Sequence, residues 1–192
     1  MVSSSCPLTG LGCRLAVDGS QCGSDEHEFE YRKAQCTELA HRCLPARLDP
    51  DECHSVMVQR VVPAIGYPMA VTRFTPNQCQ QLNSTINRVL LPKMRINRHM
   101  PLAVIYSPLR LGGLNWPSFQ IKQDCDSILT LIKHLRHDDT MANDIKVALS
   151  AWQLVSGLCT PFMESVTPKL TYLGDGWLPH IRDRLAIMDG YI

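Results

Sequence analysis

Twice within thirty residues the chain spells the same helix start, Asp49-Pro50-Asp51-Glu52 and Thr75-Pro76-Asn77-Gln78. In each, a capping residue precedes proline at the first helical position, and an acceptor side chain, Glu52 or Gln78, follows three residues after the cap. That arrangement satisfies the orphan N–H groups of a first turn and presets φ for the helix. A chain that carries it twice is committed to helices through its middle.

Apolar spacing extends the reading. Asp25, with Glu28 three residues on as its capping-box partner, predicts a helix to about Leu44 with Phe29, Cys36, Leu39, Ala40 and Cys43 inward. The Asp49 start carries Val56, Met57 and Val61 inward before Pro63, Gly66 and Pro68 break or kink the next turns. The Thr75 start places Cys79, Leu82, Ile86, Val89 and Leu90 on one face and runs to Pro92. An irregular run over 92–117 follows, then helices over about 118–137, 141–156 and 177–188, with Gly157 as a C-cap. Residues 11–17 read as a single strand before an Asp18-Gly19 turn. The expected fold is mainly α, a helical bundle with one short N-terminal strand or hairpin. Its expected divisions are a strand and loop segment over 1–24, a basic helical region over 25–115 and a C-terminal helical region over 116–192.

Charge is segregated along the chain. Between Cys53 and Gln123, 71 residues, there is no aspartate or glutamate, while Arg60, Arg73, Arg88, Lys93, Arg95, Arg98, Arg110 and Lys122 give that stretch a charge of +8. The remainder holds all 18 acids and 11 of the 19 bases, so it sums to −7. Uncompensated positive charge in one block is the footprint of a polyanion partner, nucleic acid first among them. Arg88, Lys93, Arg95, Arg98 and Arg110 are the candidate phosphate contacts, with Asn97 as their hydrogen-bonding neighbour. Arg60, Arg73 and Lys122 read as ordinary helix-surface charges. Tyr106 and Trp116 flank Gly112-Gly113 and read as packing residues.

Other chemistry is argued away by the same means. No apolar run approaches the ~20 residues that span a bilayer, and the first 20 residues lack a signal pattern, so a soluble protein of the cytoplasm or nucleus, without a membrane partner, is expected. The nine cysteines are scattered with no C-x-x-C, which fits reduced small hydrophobes and no zinc knuckle. Asp138-Asp139 could pair for two-metal chemistry, but Lys133-His134-Leu135-Arg136-His137 before it is a wet helix end, and a helix–helix turn is expected. His134 and His137 complement a helix C-terminus without a metal. Asp124 and Asp126 point ~200° apart on a helix. With no G-x-S-x-G and no phosphate-binding glycine loop, neither cofactor nor catalysis is expected.

Three ordered stretches carry a family pattern. They are Val61-Val62-Pro63-Ala64-Ile65-Gly66-Tyr67-Pro68; Leu90-Leu91-Pro92-Lys93-Met94-Arg95-Ile96-Asn97-Arg98-His99-Met100-Pro101; and Val104-Ile105-Tyr106-Ser107-Pro108 followed by Leu111-Gly112-Gly113-Leu114. Together they resemble the region after the palm in reverse transcriptases of non-LTR retrotransposons, where "lpk.g.nr..p..vvygp...GGlg" precedes a helix rich in Ile and Leu. Leu11-Gly12-Cys13-Arg14-Leu15-Ala16-Val17-Asp18-Gly19 looks like the strand that closes the palm, and Trp177-Leu178-Pro179-His180-Ile181-Arg182 is similar to a tryptophan-led helix near the end of such frames. Ser107 stands where the family more often has glycine. The resemblance implies a thumb and C-terminal connection that holds RNA or an RNA–DNA hybrid weakly by its backbone and does not polymerise, since the palm carboxylates are absent. It also implies apolar surface open to self-association. The alternative expectation is a helical protein–protein module with no nucleic-acid partner.

Overall fold

The computed structural model describes residues 8–10, 13–15, 21–97, 99–137, 139–164, 170, 172 and 176–188. The chain is mainly α. Strands β1 (Leu8–Gly10) and β2 (Cys13–Leu15) pair antiparallel, Leu8 opposite Leu15 and Gly10 opposite Cys13. The strand expected over 11–17 is thus one arm of a hairpin, and the rest of that expectation, with the turn at 18–19, lies outside the described residues. Helices follow: α1 (Gln21–Cys43), α2 (Pro50–Val56), α3 (Val62–Gly66), α4 (Pro76–Lys93), α5 (Leu102–Tyr106), α6 (Phe119–His137), α7 (Thr140–Ser156) and α8 (Trp177–Ile187). Two compact units divide within α6, Met1–Gln123 and Asp124–Ile192.

Both proline-led capping boxes form. Asp49 accepts from the Glu52 N–H at 2.8 Å and Glu52 accepts from the Asp49 N–H at 3.0 Å. Thr75 and Gln78 make the same reciprocal pair. The Asp25 start does not form. Helix α1 begins at Gln21, so Asp25 lies inside it and is buried, accepting from the Arg73 backbone N–H and from its guanidinium at 3.0 Å. Glu28 faces inward beside Arg32 (2.6 Å), which also reaches the Ala64 carbonyl and ties α1 to α3. An ion pair between residues 48 apart took the acid that would have capped.

Between α2 and α3 the helix does not break at Pro63. It widens into a π-helical turn, Met57–Val61, and the Val62 N–H bonds to the Met57 carbonyl five residues back. Proline has no N–H to give and its ring crowds the carbonyl four residues earlier, and a wider turn relieves both. The widening also sets what is buried. Cys53, Met57, Val61, Ile65 and Met69 are all fully buried at a spacing of four, which a straight α-helix of 3.6 residues per turn would carry off the core face.

The first unit's core joins these residues to Phe29, Cys36 and Ala40 of α1, Phe74, Cys79, Leu82, Ile86, Leu90 and Leu91 of α4 and its approach, Ile105, Trp116 and Phe119. Burial holds the Cys36 thiol up to about 12, and six described cysteines are free. The stretch expected to be irregular contains α5 and a 3₁₀ turn, Leu109–Leu111. Three side-chain amides stitch the segment: Asn87 Oδ1 accepts from Trp116 Nε1 at 2.8 Å while its Nδ2 donates to the Tyr106 hydroxyl, Asn83 Oδ1 accepts from the Phe119 N–H, and Gln123 bonds both the N–H and the carbonyl of Phe74 at 3.1 Å.

In the second unit Leu131, Ile145, Phe162, Met163, Leu178, Ile181 and Leu185 form a smaller core. The Arg184 guanidinium donates to Asp124 at 2.8 Å, and the buried Arg182 donates to the Phe162 carbonyl. Gly157 ends α7 in the left-handed conformation, φ 65°.

Candidate functional site

The basic stretch separates into working groups once its partners are visible. Helix α4 holds Arg88 on its outer face, exposed and without an ion pair among the described residues. That face is otherwise neutral: Asn77, Gln80, Gln81, Ser84 and Thr85 share it, with no charge of either sign before Arg88. Sequence reasoning passed over this stripe. Its signal was an absence, the lack of any charged residue from Pro76 to Asn87 in a helix with an outer face.

Lys93 is committed elsewhere. Its ammonium donates to the carbonyls of Leu44 (3.0 Å) and Ala46 (2.7 Å), just past the end of α1. A cation there satisfies orphan carbonyls and complements the helix dipole. Arg73 is committed to Asp25. Lys122 lays its methylenes against Gly66, at whose position a Cβ would meet the Lys122 side chain at 3.4 Å.

Arg95 occupies the left-handed position that closes α4, φ 60°. The Ile96 N–H bonds to the Leu91 carbonyl and the Arg95 N–H to the Pro92 carbonyl, both 3.0 Å, the paired bonds of a Schellman motif. Ile96 then packs on the core while the Arg95 side chain stays exposed. Left-handed backbone costs an L-residue ~1–2 kcal/mol, partly offset because arginine loses less chain entropy than glycine. Arg95→Gly should therefore raise stability by roughly 0.5–1 kcal/mol in urea denaturation while removing a cation. A loss of stability would show that this backbone is not left-handed.

Asn97 turns the chain after the motif: its Oδ1 accepts from the His99 N–H at 2.9 Å and its carbonyl from Met100. It is a hinge of the turn as well as a neighbour of the bases. Arg98 lies outside the described residues. Arg110 is exposed at the centre of the 3₁₀ turn, with no ion pair among the described residues. The two aromatics near it are structural. Trp116 is buried, edge-on to His54, and Tyr106 is half-buried against Asn87, burial holding its hydroxyl above the usual phenol range.

The acidic candidates take structural positions too. Asp139 caps α7, accepting from the Ala142 N–H at 2.8 Å and from His134 Nδ1 at 2.7 Å. The His134 bond first, then the Ala142 N–H, hold its carboxyl below the usual carboxylate range. Its contribution is complete above the unfolded carboxylate pKa and is lost as pH falls through the lower folded one. Asp138 is outside the described residues, and among those described no three His, Cys, Asp or Glu side chains gather to hold a metal. No described helix is long and apolar enough to cross a membrane.

No family model, curated protein or solved structure matches the chain. The residues themselves therefore carry the functional argument.

Proposed function

We propose that this chain is a non-catalytic nucleic-acid-binding module akin to the thumb and C-terminal connection of a non-LTR retrotransposon reverse transcriptase, holding RNA or an RNA–DNA hybrid by its backbone. One observation carries the reading. Arg88, Arg95 and Arg110 are exposed, make no ion pair among the described residues and belong to a 71-residue stretch without a single acid. Exposed guanidinium groups with no ion-pair partner among the described residues are what phosphate contacts require.

The backbone supports the family side of the proposal. Two described residues other than glycine have positive φ, Arg95 (60°) and Asn115 (49°), and both stand where the family pattern writes glycine. Ser107, where the pattern also has glycine, has φ −65°, which any residue adopts. Serine therefore sits at 107 without backbone strain.

Salt titration of binding to a labelled RNA–DNA hybrid tests the activity. Log affinity should fall linearly with log salt, and Arg88→Ala, Arg95→Gly and Arg110→Ala should each lower the slope by about 0.7–0.9. Lys93→Ala should lower stability instead, since its carbonyl partners are in the protein. Absence of binding at low salt, or slopes unmoved by all three arginine variants, would defeat the reading.

A second reading, self-association, is favoured by α7. Val147, Ala151, Leu154 and Val155 are exposed at helical spacing, Leu154 at 83%. Sedimentation showing a dimer insensitive to nucleic acid, and dispersed by Leu154→Glu, would move the assignment to a protein–protein module.

A further inference from the structure

We propose that the 108–112 turn is an apolar wedge that seats on an exposed base, so that the preferred ligand is a duplex with an unpaired end rather than a continuous one. The inference rests on the nucleic-acid reading above and specifies its ligand. Leu109 and Leu111 are each 71% exposed, with the exposed Arg110 between them and the exposed Pro108 before them. A lone exposed leucine means little. Two on one three-residue turn, flanking a cation, form a compact tip with both apolar and charged contacts to make.

The tip is stiff. The Leu111 N–H bonds to the Pro108 carbonyl and the Gly112 N–H to the Leu109 carbonyl, both at 2.9 Å. Behind them the Gly113 N–H reaches the Pro108 carbonyl at 3.2 Å and the Asn115 N–H the Ser107 carbonyl at 2.8 Å. Gly112 supplies the left-handed corner, φ 78°. The leucines are thus held outward by backbone bonds, and contact need not first order the turn. At its root Tyr106 is tied to Asn87, at the level of α4 that carries Arg88.

Charge selects the occupant. Arg110 is exposed with no ion pair among the described residues, and an anion that it holds must lie within a few ångströms of an apolar face for its flanking leucines. A base beside its own phosphate supplies both, and leucine is among the side chains that wedge against base steps. A lipid surface is engaged through a broad apolar face and many cations, which one arginine on a three-residue tip does not provide. In a continuous duplex a wedge must first unstack a base step, at a few kcal/mol, whereas a junction with an unpaired strand leaves a base face open.

The test compares a blunt RNA–DNA hybrid with the same hybrid bearing a single-stranded overhang, with 2-aminopurine at the first unpaired position. The junction should bind roughly tenfold tighter, with a change in 2-aminopurine emission. Leu109→Ser/Leu111→Ser should abolish that preference and the emission change, while the salt slope and the thermal melt stay as in the unaltered chain. Equal affinity for both hybrids, or a preference that survives the double variant, overturns the wedge but leaves the phosphate-binding reading standing. Leucine-dependent binding to phosphatidylserine vesicles without a junction preference overturns it in favour of a lipid surface. No binding to either hybrid overturns both.

Discussion

Gly113→Ala should cost the first unit roughly 3 kcal/mol or more, whereas Gly112→Ala next to it should cost only about 1 kcal/mol. A Cβ built at Gly113 meets the Ser107 carbonyl oxygen at 2.2 Å and its carbonyl carbon at 2.5 Å, and neither is a flexible side-chain end that can swing away. The backbone crossing must open, and with it the Asn115–Ser107, Leu114–Val104 and Trp116–Ile105 bonds that hold Trp116 in the core. At Gly112 a Cβ meets nothing within 4 Å, so the cost is that of the left-handed φ alone. Urea midpoints of the two variants decide the matter. Equal losses would mean that close approach of 107 and 113 is not what this segment needs.

Gln123→Met should be the second large loss, about 2–5 kcal/mol. Gln123 is fully buried, and its amide serves the Phe74 N–H and carbonyl together. Methionine fills nearly the same space but offers neither bond, leaving two buried backbone groups without these partners in a core where Phe74 itself is fully buried. The same urea titration reads it, and hydrogen exchange at the Phe74 amide supplies a local check. That amide should change from among the slower to among the faster of the unit. A loss below about 1 kcal/mol would place water, not Gln123, at the Phe74 backbone.

How far residues could be read without coordinates depended on the distance between partners. The capping boxes at Asp49 and Thr75 are closed within four residues, and both form. The α4 stripe is a local period, and Cys79, Leu82, Ile86 and Leu90 are buried as that period requires. Asp25 carried the right local chemistry for a cap, but its partner Arg73 lies 48 residues away and turned it inward. Lys93 was similarly ambiguous. As a cation in a basic block it resembles Arg95 and Arg110, and only the approach of the Leu44 and Ala46 carbonyls distinguishes it. The α2–α3 segment failed for another reason. Its buried residues repeat every four, a period that belongs to neither a regular α-helix nor a strand, so pattern matching could find the prolines but not the widened turn.

That widened turn also bears on chain length. Cys53, Met57, Val61 and Ile65, counted with one residue fewer between Met57 and Val61, become i, i+4, i+7 and i+11, the spacing of an unbroken amphipathic α-helix. The segment is thus an ordinary helix that stores one surplus residue among the exposed Val58, Gln59 and Arg60. Excising one of those three would draw the turn back to α and leave all four core side chains on their face, while returning the Pro63 ring to the carbonyl four residues before it. Insertions and deletions inside helices ordinarily rotate everything downstream by about 100°. Here the backbone holds a slot in which a single codon can come or go.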